Sequence, residues 1–182
     1  AQQLRDDVEL VEGVYDEFDK EAYLAGKLAP VFFGSAVNNF GVRELLECFI
    51  RIAPSPRPST TETRQIEPQE EKMTGFIFKI HANMDPNHRD RIAFVRVASG
   101  KYQPGMKMKV QRTGKELRPT SVVTFMSQRR EAVDEAFAGD IIGFTIHGGV
   151  QLGDSITDGP SLQFTGLPFF APEMFMTVVL KN

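Results

Sequence analysis

Three prolines at alternate positions, Pro54, Pro56 and Pro58, cut this chain of 182 residues into two parts. Each fixes its own φ and removes an amide donor, so Ala53 to Thr61 is barred from helix and favours an extended, semi-rigid connector. The connector is expected over 53–68, and the residues on its two sides differ in character. Before it, Leu4, Val8, Val11, Tyr15 and Phe18 recur at spacings of four and three, which predicts a helical stripe with acids outside. Gly13 weakens that helix, so two shorter helices fit as well as one. Pro30-Val31-Phe32-Phe33-Gly34 reads as a short buried strand, and Val42, Leu45, Leu46, Phe49 and Ile50 share one face of a helix over 42–52. Helix, strand and helix suit the tail of an α/β domain.

Beyond about Gln69 the pattern becomes that of an all-β barrel or sandwich of at least six strands. The clearest pair is Thr74 to Ile80 and Arg91 to Gly100, two β-type runs separated by a polar loop. Pro104-Gly105 suits the centre of a type II turn. Met106, Met108 and Val110 alternate with Lys107 and Lys109, the pattern of a strand with one wet face. Arg112-Thr113-Gly114-Lys115 turns the chain back, and further strands are expected over 122–126 and 140–146.

Composition narrows the function. With 21 basic and 24 acidic residues the net charge is −3, which gives no reason to expect a general nucleic-acid binder. The distribution is uneven, however. Lys107, Lys109, Arg112, Lys115, Arg118, Arg129 and Arg130 face a single acid, Glu116, across their stretch, so a local basic face is expected. No apolar run is long enough to span a bilayer, and the first residues carry no apolar signal core. A single cysteine, Cys48, excludes an internal disulfide and fits a reducing cytoplasm. His81, Asp85, His88 and Asp90 have irregular spacing and read as a solvated loop, so no metal is expected. No serine, histidine and carboxylate set has the spacing of a nucleophilic enzyme.

Several motifs in order carry a resemblance. Phe78-Lys79-Ile80, Asp85-Pro86, Arg91, Phe94, Arg96-Val97 and Ser99-Gly100 are followed by Ala138-Gly139-Asp140-Ile141 and Leu152-Gly153-Asp154-Ser155-Ile156. This series resembles the second domain of translational GTPases related to elongation factor G. The long loop from Asn83 to Arg91, with Gly34-Ser35-Ala36, Asn39-Phe40-Gly41-Val42 and Phe170-Ala171-Pro172-Glu173, is similar to the peptide chain release factor 3 branch of that family.

The resemblance implies a mainly β fold, an elongation factor Tu domain 2-like barrel over 69–168. A truncated α/β remnant of the GTP-binding domain would precede it over 1–52, and a lead-out toward a third domain would follow over 169–182. It implies a ribosome-dependent GTPase of translation termination, cytoplasmic and monomeric, using GTP or GDP with Mg. Its partners would be small-subunit ribosomal RNA and protein, and the codon-reading release factors that it displaces. Gly34, Ser35 and Ala36 would offer backbone amides to the guanine, and the basic set would supply RNA contacts. No GxxxxGK[ST] loop and no NKxD motif occurs here, so these residues by themselves are not expected to bind or hydrolyse nucleotide. Two other readings stay open: the barrel of an elongation factor G-like GTPase, and a stand-alone β-barrel interaction module. The helical segment is expected to be less stable than the barrel.

Overall fold

The computed structural model describes residues 2–82, 91–119, 122–126, 129–146, 148–167, 176, 177, 179 and 180. They divide into two compact units, Ala1–Ser55 and Pro56–Asn182. The first contains α1 (Gln2–Val14), α2 (Lys20–Leu24) and α3 (Val42–Ile52). Gly13 falls in the last turn of α1 and does not divide it. Asp19 caps α2 by accepting the Ala22 amide at 2.7 Å, and the Lys20 ammonium donates to the Arg51 carbonyl at the end of α3.

The helix over 42–52 forms as the periodicity predicts, but its apolar face lies open. Leu46, Phe49 and Ile50 are 54%, 59% and 78% exposed, and Ile52 is the one buried hydrophobic in this unit among the described residues. The strand expected at 30–34 does not form either. Val31 and Phe33 are exposed, and no described segment supplies the ladder that a strand needs. Cys48 is half-buried on α3.

The second unit is mainly β. Its strands are β1 (Ser59–Thr60), β2 (Gln65–Ile66), β3 (Thr74–Ala82), β4 (Arg91–Ser99), β5 (Lys101–Tyr102), β6 (Met108–Val110) and β7 (Glu116–Leu117). After them come β8 (Val122–Met126), β9 (Arg129–Ala132), β10 (Ala136–Phe137), β11 (Ile141–Ile146) and β12 (Ser155–Thr157). Eight of them make one antiparallel sheet in the order β7-β6-β12-β3-β4-β11-β8-β9. On a flat sheet β6 and β8 would stand about 24 Å apart, five strand spacings. Met108 and Val110 of β6 instead share one core cluster with Val122 of β8, together with Ile77, Val95, Val97, Tyr102, Ile142, Phe144 and Ile156. The sheet curls around that cluster. Its end strands do not pair with each other among the described residues, so it is a half-barrel, with β5 and β10 paired separately.

One expectation needs adjustment. The connector expected over 53–68 is shorter, because Ser59–Ile66 folds back as the β1–β2 pair. Ile66 is fully buried there with Ala98, Leu162 and Phe164. The turn expected at Pro104-Gly105 forms with that pair at its centre. Met106 donates to the Gln103 carbonyl, and Gly105 at φ +78° takes the left-handed position that a type II turn requires. The long loop at 83–90, with Asp85, Pro86 and His88, lies outside the described residues. So does the lead-out over 169–182, apart from 176, 177, 179 and 180.

Candidate functional site

Three regions hold the residues singled out from sequence, one in the first unit and two in the second. In the first, Ser35 and Phe40 exchange both backbone hydrogen bonds, at 2.9 and 3.0 Å, and close a tight loop over residues 36–39. The two sides of this bridge pass so closely that a Cβ on Gly34 would lie 2.9 Å from the Phe40 carbonyl oxygen. Gly41, at φ +72°, backs onto the Phe33 carbonyl. Inside the loop the Ser35 Oγ accepts the Asn38 amide at 3.3 Å, and the Ala36 carbonyl accepts Asn39. The amides of Ala36 and Val37 have no acceptor among the described residues, and Val37 is 96% exposed. The loop therefore presents two adjacent backbone donors, and can offer them to a carbonyl oxygen on a ligand.

The second region is the β6–β7 hairpin. Met108 and Val110 are buried while Lys107 and Lys109 are exposed, as the alternation predicts. Lys109 stands opposite Glu116 in register, and the Lys107 ammonium lies 3.8 Å from the Glu116 carboxylate. Both partners of that pair are exposed, so it contributes little. Lys109, Lys115 and Arg118 are exposed with no carboxylate in ion-pair range among the described residues.

Arg112 differs from the other members of the basic set. Its Nε and one terminal nitrogen grip the carboxylate of Asp154 at 2.6 and 2.9 Å, and the same side chain reaches the Gly149 carbonyl at 3.4 Å. Asp154 is 3% exposed. Its negative charge raises the Arg112 pKa above the ordinary value, chiefly through the hydrogen bond. Arg112 therefore braces the fold. Nothing in the local sequence marks this pairing, because 42 residues separate the partners.

Arg129 and Arg130 lie on β9, opposite Met126 and Phe125 in the register. In strand order β9 and the β6–β7 hairpin stand at opposite ends of the sheet. The seven basic residues therefore occupy two ends of the strand order.

The motifs that carry the resemblance are mostly turns that hold the sheet. Gly139 donates to Val97 while the Asp140 carboxylate receives the Phe137 amide at 2.8 Å. Gly153 and Asp154 exchange backbone bonds with Ile77. Ser99 donates to the Lys72 carbonyl and lies 2.6 Å from the Thr74 hydroxyl.

Residues 72–159 match the family model for elongation factor G domain 2. Across both units the chain is 57% identical over 181 residues to peptide chain release factor 3 of Bordetella petrii, and 58% identical over 176 residues to that of Bordetella pertussis. The chain is similar throughout to peptide chain release factor 3. These alignments cover 100% and 97% of the chain, but only 34% and 33% of the two relatives. Release factor 3 of Bordetella avium aligns in the same way at 55% identity. The chain thus spans about a third of the length of the curated relatives it matches. Among the described residues no helix is long and apolar enough to cross a membrane, and no His, Cys, Asp and Glu group could hold a metal ion.

Proposed function

We propose that this chain is the part of a ribosome-dependent GTPase of translation termination that joins the end of its nucleotide domain to its docking barrel. The observation that carries this reading is identity of 55–58% running through both units to peptide chain release factor 3. In the full-length protein GTP with Mg would drive the factor onto the ribosome and promote departure of a codon-reading release factor. Hydrolysis would then let the GTPase leave. The Ser35–Phe40 loop would close over the guanine, with the Ala36 amide donating to its carbonyl oxygen; Gly34 and Ser35 set that loop's geometry.

The barrel's part is positional. Lys107, Lys109, Lys115 and Arg118 on one edge of the sheet, with Arg129 and Arg130 on the other, would meet phosphates of small-subunit RNA. Arg112 would hold the hairpin rather than touch RNA. The setting is cytoplasmic and the factor acts as a monomer.

Ribosome binding of the full-length factor tests the docking role. Charge reversal at Lys109 and Lys115, or at Arg129 and Arg130, should weaken binding and flatten its salt dependence, because each lost phosphate contact releases fewer counterions. Unchanged binding over a salt series would remove the reversed pair from the interface.

A further inference from the structure

The chain enters the half-barrel and leaves it side by side. β1 pairs with β2 along one edge, Ser59 opposite Ile66 and Thr60 opposite Gln65. Its other edge takes residues 163–165, which follow the last strand. Thr61 and Phe164 form an antiparallel bridge, the Glu62 amide donates to the Gln163 carbonyl at 3.0 Å, and the Thr165 amide donates to the Thr60 carbonyl at 3.0 Å. The Thr165 hydroxyl reaches that same carbonyl at 3.4 Å, across 105 residues of sequence.

This junction has a small core of its own. Ile66 from the entry side is buried with Leu162 and Phe164 from the exit side and with Ala98 of β4, apart from the large cluster inside the curled sheet. The Phe164 ring lies 5.3 Å from that of Phe76 on β3, and its amide donates to the Ser155 hydroxyl at 2.9 Å. Upstream, Pro56, the first residue of this unit, packs so close to Gly139 that a Cβ on the glycine would lie 2.6 Å from the proline ring. Entry and exit therefore cover each other. Withdrawing 56–66 would strip the Thr165 amide of its acceptor and bare the Phe164 side chain.

We propose that 56–66 and 162–165 form a clasp that opens and closes as one element, so that unseating the connector at Pro56 also frees the segment leaving the half-barrel. Short strands around a separate apolar cluster are the pattern of a sub-global unfolding unit. An element with two arrangements, biased from either end, is what couples distant segments. The clasp thus passes a displacement from one end of the unit to the other while the eight-stranded sheet stays intact. It does not depend on nucleotide or ribosome binding, so its failure would leave the proposed function standing.

Residue-resolved amide exchange on this chain tests it. Pro56→Ala frees the connector without touching 163–165, and the Glu62 and Thr165 amides should then exchange faster by one common factor, about threefold for the lost proline constraint. Glu62→Pro removes the amide that donates to Gln163; φ at Glu62 is not positive, and proline suits the first central position of the turn over 61–64. Thr165 exchange should rise about tenfold over Glu62→Ala, which keeps the amide, the scale of one lost hydrogen bond. The Ile77 amide, bonded to the Asp154 carbonyl beside the main core, should keep its wild-type rate in every variant. Unchanged exchange at Thr165 in either test would overturn the proposal. Equal acceleration at Ile77 would also overturn it, by making the clasp part of global unfolding. Pro56 is exposed, so Pro56→Ala decides the matter alone if Glu62→Pro does not fold.

Discussion

The guanidinium of Arg112 and the carboxylate of Asp154 form a two-pronged ion pair, at 2.6 and 2.9 Å, between the β6–β7 turn and the turn before β12. Asp154 also accepts the Gln151 amide at 2.7 Å, so its buried carboxylate completes three hydrogen bonds. Replacing it leaves that amide and the arginine without their acceptor. Asp154→Ala should therefore lower stability by about 1–3 kcal/mol, the range for orphaning buried partners. Lys115→Gln on the same hairpin, exposed and without a side-chain partner among the described residues, should leave the urea midpoint unchanged. Equal midpoints for the two variants would show that the pair does not brace the barrel.

Glu70 gives the barrel unit an acid-sensitive contact. The Arg64 guanidinium donates to both of its oxygens at 2.6 and 2.7 Å, and the Glu67 amide adds a third bond at 2.9 Å. These bonds, Arg64's foremost, lower its pKa from 4.5 to about 2 against the opposing effect of burial. A carboxyl that is more acidic when folded stabilises the fold above its unfolded pKa and loses that contribution as pH falls toward the folded value. Stability should thus decline between pH 4.5 and about 2, and Glu70→Gln should remove part of that slope. Urea midpoints measured through this window check it; a slope identical in the variant would rule out Glu70 as a source.

Much of this architecture is legible in the sequence because local rules decide it. Alternation in Met108, Lys109 and Val110, and the Pro104-Gly105 pair, place a wet-faced strand and a type II turn where the structure has them. The periodicity of 42–52 likewise yields α3. Rules that depend on distant partners do not transmit. Val31 to Phe33 have strand propensity but no described neighbour to pair with, so propensity alone misleads. The bulge at Phe78 arises from cross-strand register, and no local pattern announces it. Arg112 looks like any surface arginine until Asp154 folds against it. The serine and glycine of Ser99-Gly100 owe their place to packing: a Cβ on Gly100 would stand 2.5–2.6 Å from the backbone of Lys72 and Met73.

The two units should differ in local stability. No residue of α1 is buried, whereas β3, β4 and β11 share fully buried Ile77, Val95, Val97 and Phe144. Opening free energy follows buried apolar contact, so amide exchange should be fast across 2–52 and slowest in those three strands. Slowest exchange in α1 or α3 would contradict this assignment of the core.

The proposed service to a ribosome-dependent GTPase is tested by GTP turnover of the full-length protein with and without ribosomes. Turnover should be slow alone and rise strongly with ribosomes, and the rise should shrink when the barrel's exposed cations are reversed. Turnover indifferent to ribosomes, or absent in both cases, would contradict the account.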